Sequence, residues 1–351
     1  MSSVLMKDFS KKIIAWYEEH KRELPWRMAN DPYKVWLSEI ILQQTRVSQG
    51  LPYYNRFVEK YSTVKHLATA PEQEVLRLWQ GLGYYSRARN LHKCAKQVVK
   101  EHEGSFPNSF ESLKKLPGIG DYTAAAIASF SFKEVVPVVD GNVYRVLARV
   151  FGIDTPINSP KAKKEFFELA KQLISAEHPD IFNQAIMEFG ALHCTPQNPA
   201  CDECPFAKQC VAKAKNLQKH LPVKEKKIKV RKRYFYYRVY QQEKKLALRL
   251  REGKDIWHGL YDFDLIESAK PLSKAGLEKQ LGLKKFELSE EYKHVLSHQV
   301  IYARFILLTT KPKSKELQFY SLKKIAELPK PVLISNFLKN YEFLKQKKEA
   351  Y

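Results

Sequence analysis

A chain of 351 residues is long enough for two domains of ordinary size, and an apolar fraction of 44% is that of a globular protein. No apolar run reaches the roughly 18 residues of a membrane span. The opening MSSVLMKDFSKKIIAWYEEH lacks the apolar core of a signal peptide, so no membrane partner and a soluble, cytoplasmic protein are expected. The net charge of +22, from 60 basic and 38 acidic residues, fits either a polyanionic partner or a lysine-rich solvated surface.

Residues 1–222 read as mostly helical. Amphipathic stretches recur at 8–20, 32–49, 52–61, 71–80, 87–102, 109–116, 123–130, 143–151, 160–177 and 180–191, parted by turns rich in Pro, Gly, Asn or Ser. The run VKEKKIKVRKR at 223–233 carries seven basic residues and one acid, and reads as an exposed linker that also meets phosphate. From Tyr234 onward the runs YFYYRVYQ, KLALRLR, YDFDLI, VIYARFILLTT and ELQFYSL are aromatic and β-branched, as strands are, with one helical stretch at 273–281 among them. The expected order is a mostly α region over 1–222, a basic linker, and a smaller α+β domain over 234–351.

Within the helical region three features carry chemistry. Glu39 lies in DPYKVWLSEIILQQTR with Val35 and Leu42 on the same helical face. A carboxyl among apolar neighbours has a raised pKa and suits a general acid near neutral pH. Next, LPGIGDYT joins two helical patterns across 109–130. Gly118 and Gly120 permit a tight turn with positive φ, and the free N–H groups opening the following helix form an anion site. The segment fits either an ordinary connection between two helices or a helix–hairpin–helix, which grips a DNA phosphate without reading sequence. Asp140, in VVPVVDGNVYR, follows an extended segment and precedes a helix, where an aspartate serves as an N-cap or as a placed carboxylate.

Four of the five cysteines, Cys194, Cys201, Cys204 and Cys210, are spaced C-x6-C-x2-C-x5-C. Such a quartet is built to hold a metal centre in a reducing compartment. Zinc is one option for four thiolates, but zinc sites usually show two C-x2-C pairs, and here there is one. The fifth, Cys94, sits in the helical pattern LHKCAKQVV and reads as a buried thiol.

Hairpin, aspartate and cysteine quartet in this order resemble the helix–hairpin–helix DNA glycosylase superfamily, in its [4Fe–4S] branch. The resemblance implies a [4Fe–4S] cluster on the four cysteines, as a scaffold that presents Lys208, Lys213 and Lys215 to phosphate. Bifunctional relatives of the endonuclease III type carry a lysine two residues after the second hairpin glycine, where its amine forms a Schiff base with the sugar. Here that position is Tyr122, which implies base removal without strand nicking. Leu24-Pro-Trp-Arg27 and the segment from Asp31 to Arg46 resemble the adenine pocket of MutY-type adenine DNA glycosylases.

That resemblance assigns roles residue by residue. Glu39 protonates adenine N7, Asp140 stabilises an oxocarbenium-like sugar, and Tyr122 and Asn142 orient Asp140 or the sugar. Trp26, Arg27 and Gln184 line the pocket. Gln43, Gln44, Thr45, Arg87, Gly118, Gly120 and Thr123 meet DNA, and Tyr84, in GLGYYSRARN, wedges with Gln44 into the base stack. WHGLYDF at 257–263 resembles a turn of Nudix-like domains. The helix that should carry a cluster of acids for magnesium has one, so the domain is expected to recognise and not to hydrolyse. Leu296-Ser297-His298 stands where the family usually has Phe-Ser-His, and implies recognition of 8-oxoguanine.

The function implied is a monomeric, monofunctional base excision repair glycosylase. It would act on double-stranded DNA holding adenine opposite 8-oxoguanine or guanine, and would be nucleoid-associated if bacterial. A bifunctional endonuclease III-type enzyme is disfavoured by Tyr122. A non-enzymatic iron–sulfur DNA-binding protein gives no reason for Glu39, Asp140 and the hairpin to occur together. A Nudix nucleotide hydrolase lacks its acids.

Overall fold

Polar caps set the helix starts that matter for the site. Asp31, Ser109, Asp140 and Ser159 each accept from a backbone N–H two or three residues on, and Pro32 and Pro160 occupy the first turn, where a missing N–H costs nothing. The computed structural model describes residues 3–28, 30–225, 230–253 and 255–349. It divides into two units, one of Met1–Thr69 with Asn90–Lys226 and one of Ala70–Arg89 with Lys227–Tyr351.

The first unit is helical. Its core joins Phe9 and Ile13 of Ser3–His20, Val146 and Leu147 of Gly141–Phe151, Phe166 of Pro160–Leu173, and Phe182 and Phe189 of Pro179–Leu192, with Phe206 from the cysteine loop. Side chains of this size contribute about 1.5–3 kcal/mol each when fully buried. The helix expected over 32–49 stops at Leu42. The apolar run ends there, Gln44 turns left-handed at φ 54, and a second helix, Val47–Lys60, starts ahead of Pro52 and contains it. The helix expected to reach residue 177 ends at Leu173, and short helices at Val64–Thr69 and Val211–Ala214 were not anticipated.

The second unit is built on a mixed sheet of β1 (Arg231–Gln242), β2 (Lys245–Leu250), β3 (Tyr261–Asp262), β4 (Asp264–Ser268), β5 (Glu287–Leu288), β6 (Tyr292–Val295), β7 (Gln299–Leu308) and β8 (Gln318–Ser321). β1 runs parallel to β7, from Arg231 opposite Gln299 to Tyr240 opposite Leu308; the other pairings are antiparallel. Helices cover both faces. Leu277 of Lys274–Leu281 packs with Tyr236, Tyr240 and Ile306 on one face, and Phe337 of Val332–Glu349 stacks on Phe305 at 3.9 Å on the other. The sequence reading expected one helix here; Leu322–Glu327 and Val332–Glu349 are additional, the latter burying Leu333, Phe337 and Tyr341 at helical spacing.

Segment 70–89, expected within the helical region, groups with this unit through Gln80 Nε2 to Ser335 Oγ at 3.0 Å and Arg89 Nη1 to the His258 carbonyl at 2.6 Å. Of the basic run, 226–229 lie outside the described residues. Its last three residues open β1, and Arg233 is not a phosphate contact: 5% exposed, it forms forked bonds to Asp255 and Glu267.

Candidate active site

A cavity of about 520 Å³ in the first unit gathers side chains from helices far apart in sequence. Trp26 and Arg27 come from the Pro25–Arg27 turn, Glu39 from Pro32–Leu42, and Tyr122 from the first turn of Asp121–Phe132. Asp140 and Asn142 come from the start of Gly141–Phe151, and Gln184 from Pro179–Leu192. Thr45 lines it as well. Every residue assigned to catalysis or to the adenine pocket thus borders one cavity.

Glu39 is 7% exposed and shares the wall with Val35, Leu42, Phe130 and Met187. Burial pushes its pKa up to about 7, the Asp140 charge adding to the rise while the Tyr122 hydrogen bond and Arg27 oppose it. That bond runs from Tyr122 Oη to Glu39 Oε2 at 2.7 Å. Asp140 is both a cap and a cavity group. Its Oδ1 accepts from the N–H of Asn142 and of Val143 at 2.8 Å each, and its Oδ2 from Asn142 Nδ2 at 2.7 Å. Burial raises its pKa; these donors and Arg145 pull the other way and favour the carboxylate.

Sequence reasoning missed Glu188, Arg22 and Arg145. Glu188, 1% exposed, takes a two-pronged bond from Arg22 at 2.7 Å on each prong, the Arg22 backbone N–H at 3.1 Å, and Arg27 Nη2 at 2.8 Å. Burial pushes Glu188 up, but the two guanidiniums outweigh it and hold the carboxyl down at about 2. Glu188 thereby fixes Arg27 at the cavity. The signal was available, an acid in the apolar FNQAIMEFGAL, the same signal that singled out Glu39. Arg145 donates to Asn142 Oδ1 at 2.8 Å, the Gly190 carbonyl at 2.6 Å and the Cys194 carbonyl at 2.7 Å, and so fixes the side chain that holds Asp140.

In the hairpin only Gly118 is left-handed, at φ +75; Gly120 is extended at φ −93, ψ −179, contrary to the expected positive φ. A Cβ at Gly120 would meet no atom within 4 Å, so the backbone there lies open to a ligand. Gln44 is exposed. Thr123 is 2% exposed, and its hydroxyl accepts from Gln43 Nε2 at 3.3 Å, so its side chain faces inward.

The four cysteines line one small cavity with Arg149, Phe189 and His193. Cys194 Sγ accepts from Arg149 Nη1, and Cys204 Sγ from the Phe206 N–H, both at 3.4 Å. Burial raises the thiols of Cys194, Cys204 and Cys210, Cys204 to about 11, so bare thiolates here would be costly without a cation. Four cysteine sulfurs around one shared cavity are a donor set that suits a thiolate-held metal centre. Lys208 and Lys215 are exposed, while Lys213 is tied to the loop through the Cys201 carbonyl and Asp202 at 3.1 and 3.0 Å.

In the second unit Tyr84, 41% exposed, donates its hydroxyl to Ser297 Oγ at 2.7 Å, which lies 3.2 Å from His298 Nδ1. Leu296 is half-buried beside Trp257 and His294. Arg87 is folded over its own loop, donating to the carbonyls of Leu82 and Gly83. The Lys274–Leu281 helix carries Glu278 as its one acid.

Comparison with known proteins matches residues 37–173 to the HhH-GPD superfamily of base excision DNA repair proteins, 194–210 to the iron–sulfur binding domain of endonuclease III, and 235–340 to the NUDIX domain. The chain is 36% identical to an adenine DNA glycosylase of Buchnera aphidicola subsp. Baizongia pistaciae, over 84% of each chain. It is 32% identical to that of Buchnera aphidicola subsp. Acyrthosiphon pisum, over 95% of this chain and 98% of the relative. The human adenine DNA glycosylase is 45% identical over 61% of this chain and 41% of its own length. Among solved structures, a thermostable thymine-DNA glycosylase is similar at TM-score 0.56 and 30% identity, over 60% of this chain and 97% of that one. A trapped endonuclease III–DNA intermediate shares the fold at TM-score 0.54 and 23% identity, over 62% of this chain and 99% of that one.

Proposed function

This chain belongs to the adenine DNA glycosylase family, and from that premise we propose that it removes adenine lying opposite 8-oxoguanine or guanine, by protonation of N7 and stabilisation of a cationic sugar. As a glycosylase of this family it binds DNA, hydrolyses an N-glycosidic bond, and carries a [4Fe–4S] cluster on Cys194, Cys201, Cys204 and Cys210. Among the described residues no helix is long and apolar enough to cross a membrane.

The target base must leave the duplex, at a cost of a few kcal/mol. Trp26, Arg27 and Gln184 border the cavity that would receive it, with Glu188 fixing Arg27. Glu39, holding its proton to about pH 7, delivers it to adenine N7. The bond between C1′ and N9 then breaks, its electron pair goes to the base, and adenine leaves neutral. The sugar is left as an oxocarbenium-like cation. Asp140 faces it as a carboxylate, fixed by three N–H donors, and stabilises it without reorganising. Water adds to C1′ and loses a proton, leaving an abasic site. Tyr122 places a phenol, hydrogen-bonded to Glu39, where a lyase would need an amine, so no Schiff base forms.

Tyr84, Ser297 and His298 would read the opposite base, with Tyr84 and Gln44 as wedges. The cysteine loop would hold Lys208 and Lys215 toward phosphate, apart from the chemistry. We read the working form as a monomer. The observation that carries the proposal is Glu39, a buried acid with its pKa near 7 in the same cavity as a pre-organised carboxylate. The test is a duplex holding adenine opposite 8-oxoguanine, incubated with enzyme and split with and without alkali. Strand cleavage only after alkali is expected; cleavage without it would show a lyase.

A further inference from the structure

The loop that carries Tyr84 is held by a cation the proposed chemistry does not use. Gly83 and Tyr84 are both left-handed, at φ +70 and 47, a region costly for a residue as bulky as tyrosine. The carbonyls of three consecutive residues turn toward Arg87. Its Nη2 donates to Leu82 O at 3.2 Å and Gly83 O at 3.4 Å, and its backbone N–H to Tyr84 O at 2.9 Å. The guanidinium also lies over the rings of Trp79 and Tyr84, at 5.1 and 5.6 Å. Trp79 Nε1 adds a bond to Gly83 O at 3.0 Å. A planar fork can meet carbonyls at its edge and rings at its face together; a lysine ammonium, a compact point charge, cannot.

We infer that Arg87 is a positioning residue: it holds Tyr84 in the left-handed conformation from which the ring can enter the duplex and the hydroxyl can meet Ser297, and it does not serve as a phosphate contact. The inference rests on the reading of Tyr84 as a wedge. A phosphate contact would tolerate lysine, would weaken all duplexes alike, and on removal would lower the slope of log affinity against log salt by about one. A brace for Tyr84 does none of these.

The test uses the full chain with its cluster, as Arg87→Lys, Arg87→Met, Tyr84→Ala and the Tyr84→Ala, Arg87→Met double variant. Single-turnover excision is measured opposite 8-oxoguanine and opposite guanine, and duplex affinity across a salt series. Both Arg87 variants should lose the preference for 8-oxoguanine by about tenfold, the scale of losing a charge-assisted contact. The salt slope should stay unchanged, and Arg87→Met should add less than about twofold to the Tyr84→Ala defect. Wild-type behaviour of Arg87→Lys, a lower salt slope, or full multiplication of the two defects would overturn the inference. If Arg87→Met does not fold, Arg87→Lys decides by itself. A Tyr84→Ala variant that excises and discriminates like the wild type would remove the wedge reading itself; an impaired Tyr84→Ala beside a normal Arg87→Lys removes only the brace.

Discussion

Replacing Glu39 with glutamine should make the protein more stable while it destroys excision, and the size of the gain should depend on pH. In the folded chain burial holds the Glu39 pKa at about 7, against 4.5 for the exposed group. A raised carboxyl pKa means that the folded state keeps its proton longer than the unfolded state does. The associated stability is fully present below the unfolded pKa and is lost as pH rises toward the folded one. Glutamine resembles the protonated acid and still accepts from the Tyr122 hydroxyl, so it loses nothing on that rise. Linkage gives a difference of about 1 kcal/mol at pH 5.5 and about 3 kcal/mol at pH 8, in favour of glutamine. For a domain of this size the change between those pH values corresponds to about 4–8 °C in melting midpoint. Scanning calorimetry of both cluster-bearing proteins at pH 5.5 and pH 8 measures it. The same pair, in single-turnover excision, should show a wild-type rate that falls about tenfold per pH unit above 7, and a variant slower by about 10²–10⁴-fold. A midpoint difference independent of pH, or a variant with normal turnover, would refute the assignment of Glu39 as a buried proton donor.

Asp140→Asn should keep the helix start, since asparagine also caps, and should bind duplex while releasing adenine at least a hundredfold more slowly; circular dichroism and a gel assay test the two halves. Glu188→Ala strands Arg22 and Arg27 beside the cavity and should cost about 3–5 kcal/mol in chemical denaturation, with weaker excision. A Ser297→Ala, His298→Ala double variant should excise adenine opposite guanine at the wild-type rate while losing its preference for 8-oxoguanine; unchanged discrimination would take that role from the loop.

Glu39 was legible because an acid inside an apolar helix advertises its own desolvation. Glu188 carried the same signal, but its meaning lies in Arg22 and Arg27, some 160 residues away, and no local pattern joins them. Asp140 was readable as a cap or as a catalytic group, and the geometry makes it both. Arg87 read as a DNA contact from the resemblance of GLGYYSRARN to a DNA-facing loop, and a loop pattern does not tell which way a guanidinium turns. Its inward turn depends on carbonyls that point at it only once Gly83 and Tyr84 are left-handed. The strands of the second unit announced themselves by composition. The parallel match of β1 to β7 did not, because it pairs segments almost 70 residues apart through long-range packing. The closing helix buries Leu333, Phe337 and Tyr341, a stripe present in the sequence that the neighbouring strand runs obscured.

The double engagement of Asp140 bears on how mutational surveys of this chain will read. One carboxylate both starts the Gly141–Phe151 helix and faces the cavity. A survey of folded abundance would score most replacements there as structural, and a survey of mutation rate in cells would score the same replacements as functional. Asparagine and the other residues that cap a helix, serine and threonine, separate the two columns, abundant yet inactive. A genetic variant at this position cannot be classed by one measurement, and the same will hold wherever a catalytic group is also the first capping residue of a helix.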